Sequence, residues 1–145
     1  MEAHFYNVDI KWKNGRTGEM TSPELTTAVE IATPPQFPSG VEGIWSPEHL
    51  FTAAVASCLM TTFVAIAENS KLEFSDFTIK SSGKLDRIDG KFLMTEVILE
   101  PTVVITHEED RTKAERVLQK SEANCLISNS VNSKITMVPN IVIGQ

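Results

Sequence analysis

Residues 50–67 (LFTAAVASCLMTTFVAIA) run for 18 positions without a formal charge. No other stretch constrains the fold as strongly, because that much contiguous apolar surface has to be buried in lipid or in protein. Its length is near the lower limit for crossing a bilayer. Yet Thr52, Ser57, Thr61 and Thr62 interrupt it, His49 and Glu68 bound it, and its flanks lack the Lys/Arg and aromatic pairs that anchor membrane spans. The reading that follows is the central helix of a globular domain, buried on all sides. Ser46-Pro47 marks its start, with a serine at the N-cap and a proline at the first helical position, where the missing N–H costs nothing. The helix is predicted over Pro47–Asn69.

Strands are predicted around it. Alternation over 3–12, 18–22 and 25–32, with a hairpin turn at Asn14-Gly15, gives three. Two more, over 74–85 and 91–106, run antiparallel around Asp89-Gly90, and Pro101 in the second predicts an edge position or a bulge. The stretch 33–48 is punctuated by proline and glycine and reads as a loop leading into the helix. Thr106 and Glu109 have capping-box spacing, and Glu108, Glu109 and Asp110 sit where a second helix has its positive end. Ala114, Val117, Leu118, Ser121 and Cys125 share one face of that helix. After Ser128-Asn129-Ser130 the chain returns to strand over 134–143, broken at Pro139-Asn140. This order gives an α+β fold, and 145 residues fit a single domain, 1–145.

Acidic residues outnumber basic ones 19 to 13, for a net charge of −6, and the basic residues are scattered. Nucleic acid, which needs clustered cations, is excluded as a partner. The first residues show no basic segment followed by an apolar one, so the expected compartment is the cytoplasm, where thiols rest reduced.

Those thiols are Cys58 and Cys125, 67 residues apart and outside any Cys-x-x-Cys pattern. His4, His49 and His107 lack zinc-ligand spacing, so no metal is expected. Taken singly, either cysteine reads as an ordinary buried thiol. What sets Cys58 apart is its helix face. Ala54 and Thr62 flank it one turn away, and Ala53, Ser57 and Thr61 form the next row, a stripe of small side chains across which a second helix can lie. A thiol in apolar surroundings attacks poorly until a cation or a donor lowers its pKa. Of four arginines, only Arg16 sits in a glycine-flanked turn, Asn14-Gly15-Arg16-Thr17-Gly18. Glu48 is the natural anion to hold it. On one straight helix Glu48 and Cys58 are about 15 Å apart and about 80° off a common face. A shared site therefore needs a bend at the helix start or a Glu48 from a second copy, and an antiparallel crossing of two such helices supplies the latter.

These residues resemble the osmotically inducible protein C and organic hydroperoxide resistance (OsmC/Ohr) family. Ser46-Pro47-Glu48-His49-Leu50-Phe51-Thr52-Ala53-Ala54-Val55-Ala56-Ser57-Cys58 is similar to that family's N/S-P-E-x-L-x-x-A-x-x-x-C signature. Asn124-Cys125-Leu126-Ile127-Ser128-Asn129-Ser130 resembles its second-cysteine motif, and Gly15-Arg16-Thr17-Gly18 the turn that bears its arginine. Leu126 stands where the hydroperoxide-resistance branch has proline, so the resemblance is to the OsmC-like branch. It implies antiparallel sheets around a long buried central helix, in an intertwined homodimer.

The resemblance also implies a thiol-dependent peroxidase acting on organic hydroperoxides, and less well on hydrogen peroxide. Cys58 would be the nucleophile, Cys125 the resolving thiol, and Arg16 with Glu48 the pair that tunes the site. No bound cofactor is implied; an external dithiol, of lipoyl type in the hydroperoxide-resistance branch, would reduce the disulfide. Trp45, Phe51, Met60 and Phe63 are candidates for an apolar wall favouring organic peroxides, although residues such as Phe51, Met60 and Phe63 are more often plain core. Two other readings stay open on the residues alone: a non-catalytic dimeric module that binds a hydrophobic small molecule, and a redox sensor whose disulfide alters a partner contact.

Overall fold

The computed structural model describes residues 1–144. Its contacts divide the chain into two compact units, Met1–Leu50 and Phe51–Gln145.

The first unit is built on an antiparallel sheet of β1 (Asp9–Asn14), β2 (Thr17–Thr21) and β3 (Val29–Ala32), in that order. Asn14 pairs with Thr17 across a two-residue turn, and Gly15 supplies the positive φ of 51° that the turn requires. β1 starts at Asp9, later than the alternation from residue 3 suggests, and all of it is exposed. It is an edge strand, so residues 3–8 have the pattern of a strand without a ladder to join. The proline- and glycine-rich loop is tied back onto this sheet. The Ala32 N–H donates to the Trp45 carbonyl at 2.9 Å, the Thr33 N–H to the Arg16 carbonyl at 3.2 Å, and the Val41 N–H to the Thr33 carbonyl at 2.9 Å.

Helix α1 (Pro47–Asn69) carries the chain from the first unit into the second. Ser46 caps it as expected: its hydroxyl accepts the His49 N–H at 3.1 Å and its carbonyl the Leu50 N–H at 2.9 Å. By length and apolarity α1 would suit a membrane, with a mean hydropathy of 2.0 over its best window. It is instead the core helix of the second unit, where Val55, Cys58, Leu59, Phe63 and Ala67 are buried. Burial on all sides is not what the structure shows. Ser57, Met60, Thr61, Val64 and Ala65 are exposed, because the sheet of the second unit covers one face of the helix only.

That sheet is dominated by β4 (Asp76–Ile88) and β5 (Lys91–Ile105), a long antiparallel hairpin. Asp89 and Gly90 both have positive φ, the mirror-image turn that matches strand twist. On β5 every second residue from Val97 to Ile105 is buried, which aligns one face with the core. β6 (Lys134–Met137) and β7 (Asn140–Ile143) both add parallel to β5, β6 along 96–99 and β7 along 102–105. A parallel return needs a crossover, supplied by a 3-10 turn (Glu108–Asp110) and α2 (Arg111–Ala123).

Two local expectations change. Pro101 is neither at an edge nor at a bulge: β5 is internal, and the register shift lies at Lys84/Leu85. Pro101 is accommodated because it falls opposite the interruption between β6 and β7, where no continuous ladder runs beside it. The capping box is not formed either, since neither His107 nor Asp110 makes a side-chain cap bond. Arg111 takes over that end instead. It donates to both carboxylate oxygens of Glu108, at 2.8 and 3.1 Å, and to the Ile141 carbonyl at 2.8 Å, fastening the start of α2 to β7.

Candidate active site

Two apolar clusters fill the second unit. In the first, Phe63, Ala67 and Leu72 meet Val103 and Ile105 of β5 and Ala114, Val117 and Leu118 of α2. Phe63 stacks on Phe77 with ring centroids 4.2 Å apart and meets Phe74 edge-on at 5.2 Å. Phe63 is thus packing for this cluster.

The second cluster holds both cysteines. Val55, Cys58 and Leu59 of α1 pack with Val97 and Leu99 of β5 and with Cys125, and Phe51, Ile79, Ile127, Ile135 and Met137 close around them. Both cysteines are free thiols, and Cys125 is fully buried. α2 ends at Ala123, so Cys125 lies one residue beyond its C-cap, Asn124, rather than on the helix. It is held there through its backbone. Its N–H donates to the Glu122 carbonyl at 3.3 Å and its carbonyl accepts the Asn129 N–H at 3.0 Å. Cys58, midway along a regular helix, is equally fixed. Residues 67 apart in sequence therefore meet in one cluster on two rigid supports.

The electrostatics of Cys125 follow from its burial. The Cys125 thiol is pushed up to about 11, first by burial, then by the neighbouring Cys58, with Glu122 adding to the effect. Cys125 rests as a neutral thiol. One group acts in the opposite direction: the Thr62 hydroxyl, which lies 4.0 Å from the Cys58 sulfur. Sequence reasoning counts Thr62 only as a small neighbour of Cys58. The signal for more is its spacing, four residues on along the same helical face.

Of the other predicted residues, Phe51 packs against the thiol cluster, while Met60 faces away from it and is exposed. Arg16, Trp45 and Glu48 belong to the first unit. Arg16 is exposed at the tip of the β1–β2 turn, its carbonyl tied to Thr33, next to Ala32, which bonds the carbonyl of Trp45. The backbone thus links the arginine turn to the segment just ahead of Glu48. Trp45 is also exposed and meets the His49 ring edge-on at 6.0 Å, while His49 Nδ1 lies 2.7 Å from the Ser46 hydroxyl. Among the described residues no three His, Cys, Asp or Glu side chains are grouped to hold a metal ion.

Residues 40–139, which contain both cysteine segments, match the OsmC-like protein family. The chain belongs to the OsmC-like family. It is 28% identical over 142 residues to the uncharacterized protein YmaD of Bacillus subtilis, covering 94% of this chain and 93% of that one. Its OsmC-like fold superimposes on an OsmC-like protein of unknown function from Vibrio cholerae with a TM-score of 0.85 at 24% identity, covering 94% and 99% of the two chains. An organic hydroperoxide resistance protein OsmC from Legionella pneumophila gives a TM-score of 0.77 at 20% identity over 98% and 99%. Two sheets and two α-helices are what the OsmC-like fold supplies here.

Proposed function

We propose that this OsmC-like chain is a cysteine-based peroxidase that reduces organic hydroperoxides, and hydrogen peroxide less well. The observation that carries the reading is the meeting of Cys58 and Cys125, both free, inside one apolar cluster. Support comes from the similarity to hydroperoxide resistance proteins of Legionella pneumophila and Bacillus subtilis.

In this reading the Cys58 thiolate attacks the peroxide O–O bond. The bond breaks, one oxygen stays on sulfur as the sulfenic acid, and the alkoxide takes a proton and leaves as the alcohol. The Cys125 sulfur then attacks the Cys58 sulfur, displacing hydroxide, which departs as water with the Cys125 proton. An external dithiol, of lipoyl type in the hydroperoxide-resistance branch, reduces the disulfide by two exchange steps. The thiol cluster itself is apolar. A cation must come from outside it, and Arg16 held by Glu48 is the assigned pair, favouring the thiolate and donating to the leaving alkoxide. Phe51 forms part of the apolar wall, with Trp45 the remaining candidate, since Phe63 packs in the other cluster and Met60 faces away. The working unit is a homodimer in the cytoplasm, built from single OsmC-like domains spanning 1–145.

Peroxide consumption with a dithiol tests this. Wild type should turn over, Cys58→Ser should lose at least about a hundredfold, and Cys125→Ser should react once and drift to sulfinic acid. Intact mass after one equivalent of peroxide should show loss of two hydrogens in wild type and gain of one oxygen in Cys125→Ser. Equal consumption by wild type and Cys58→Ser would sink the reading.

A further inference from the structure

The turn that bears Arg16 is fastened at three consecutive carbonyls, by donors from three parts of its sheet. The Thr17 hydroxyl, on β2, donates to the Asn14 carbonyl at 2.8 Å and reaches the Asn14 side-chain oxygen at 3.4 Å. The indole N–H of Trp12, on β1, donates to the Gly15 carbonyl at 3.0 Å. The Thr33 N–H, just past β3, donates to the Arg16 carbonyl at 3.2 Å. Water can serve carbonyls at the tip of an exposed hairpin, so three protein donors fix a geometry here rather than rescue buried groups. Trp12 is the least expected of them. It is a large aromatic side chain on an exposed edge strand, and its partner across the ladder is Gly18, which has no side chain.

The middle bond acts where the turn is weakest. Of the two turn residues only Gly15 has a positive φ, 51°, and a glycine crosses to negative φ at little cost. That crossing reorients the peptide between Gly15 and Arg16, and with it the bond by which the Arg16 side chain leaves the backbone. Thr17 and Thr33 hold the carbonyls on either side. The Trp12 indole holds this peptide itself.

We infer that Trp12 is a positioning residue for Arg16: its indole N–H, bonded to the Gly15 carbonyl, fixes the direction in which the guanidinium leaves the turn. The inference rests on the role given to Arg16 in the peroxidase reading, and adds to it a residue that touches neither peroxide nor thiol. Loss of one such bond shifts the equilibrium between turn conformations about two- to tenfold. A reaction that needs the guanidinium in place slows with the share of competent molecules.

The test compares wild type, Trp12→Phe, Thr17→Val, Thr17→Ser and Arg16→Ala in the full chain. Two rates are read: oxidation by an organic hydroperoxide, and alkylation of Cys58 against pH in the Cys125→Ser background. Trp12→Phe keeps an aromatic ring on β1 and removes the donor. It should react with the peroxide about two- to tenfold more slowly at neutral pH. Its alkylation profile should move to higher pH, in the same direction as that of Arg16→Ala, and should rejoin wild type in alkali, where the thiolate forms without the cation's help. Thr17→Val should move both readouts the same way, and Thr17→Ser should restore them. A Trp12→Phe protein whose alkylation differs from wild type by the same factor at every pH, or whose slowing tracks dissociation into single chains, would overturn the role of Trp12. So would wild-type rate and profile in Trp12→Phe beside a slow Arg16→Ala, which leaves the peroxidase reading standing. Wild-type behaviour in Arg16→Ala would overturn the assignment of Arg16 and this inference with it.

Discussion

Cys125 shows what burial does to a single titratable side chain. Its pKa rises from an ordinary 9.0 to about 11 in the folded chain, so between those values the native state keeps a proton that the unfolded state has lost. The native state then binds more protons, and the stability contributed by the neutral buried thiol is fully present below pH 9 and is lost as pH rises through the folded pKa. Urea denaturation of the reduced protein at a series of alkaline pH values should therefore show wild type losing stability between about pH 9 and 11. Cys125→Ala, which has nothing to ionise there, should decline less steeply over the same interval. Parallel curves would mean that burial does not hold the proton on this sulfur. The sequence contexts of Cys58 and Cys125 single both out as candidates. Their approach was not legible there, because it depends on where α2 stops and on the backbone bonds that Cys125 makes just beyond it.

At the scale of elements, the closeness of α1 to the β4–β5 hairpin depends on a position that lacks a side chain. A Cβ placed on Gly83 of β4 would run into the Thr52 hydroxyl of α1 and come within 2.8 Å of the Met94 methyl of β5. Met94 can swing aside, but Thr52 is short and fixed to the helix. Gly83→Ala should cost about 1–3 kcal/mol in denaturant unfolding. Ala at an open strand site would instead be neutral or slightly stabilising. The element order and both hairpin turns were readable from alternation, Asn-Gly and Asp-Gly. Two features were not. Pro101 signalled an edge, yet it sits inside the sheet because the strand beside it is split, a fact about pairing partners that no local pattern carries. The capping box at Thr106 and Glu109 lost to Arg111, whose partner carbonyl at Ile141 lies 30 residues away.

For the whole molecule, each unit leaves apolar surface uncovered. In the first, Ile10 and Trp12 line an exposed edge strand and Val8 stands exposed just ahead of it, with Trp12 at 72%. In the second, Met60 and Val64 are exposed on α1 among the small residues Ser57, Thr61 and Ala65. A second copy of the chain is the proposed cover for both, since small side chains permit close helix approach. Sedimentation at micromolar concentration should give twice the 16.0 kDa chain mass, and Val64→Asp should shift the population toward the single chain. A wild-type protein that sediments only as the single chain would remove the dimer, and with it the supply of Glu48 from a partner. The sequence did reveal the stripe of small residues, but an apolar helix read without its sheet looks buried on every side.

The parallel seating of β6 and β7 on β5 sets a timetable for the newly made chain. The hairpin of β4 and β5 and the helix before it are complete early in synthesis, with Cys58 already in its place. Cys125 is positioned through a crossover whose far end is secured only when the last two strands dock. Until the ribosome has released them, Cys125 has no fixed address, so on the proposed peroxidase reading a nascent chain meeting peroxide would lack the partner that intercepts a sulfenic acid at Cys58.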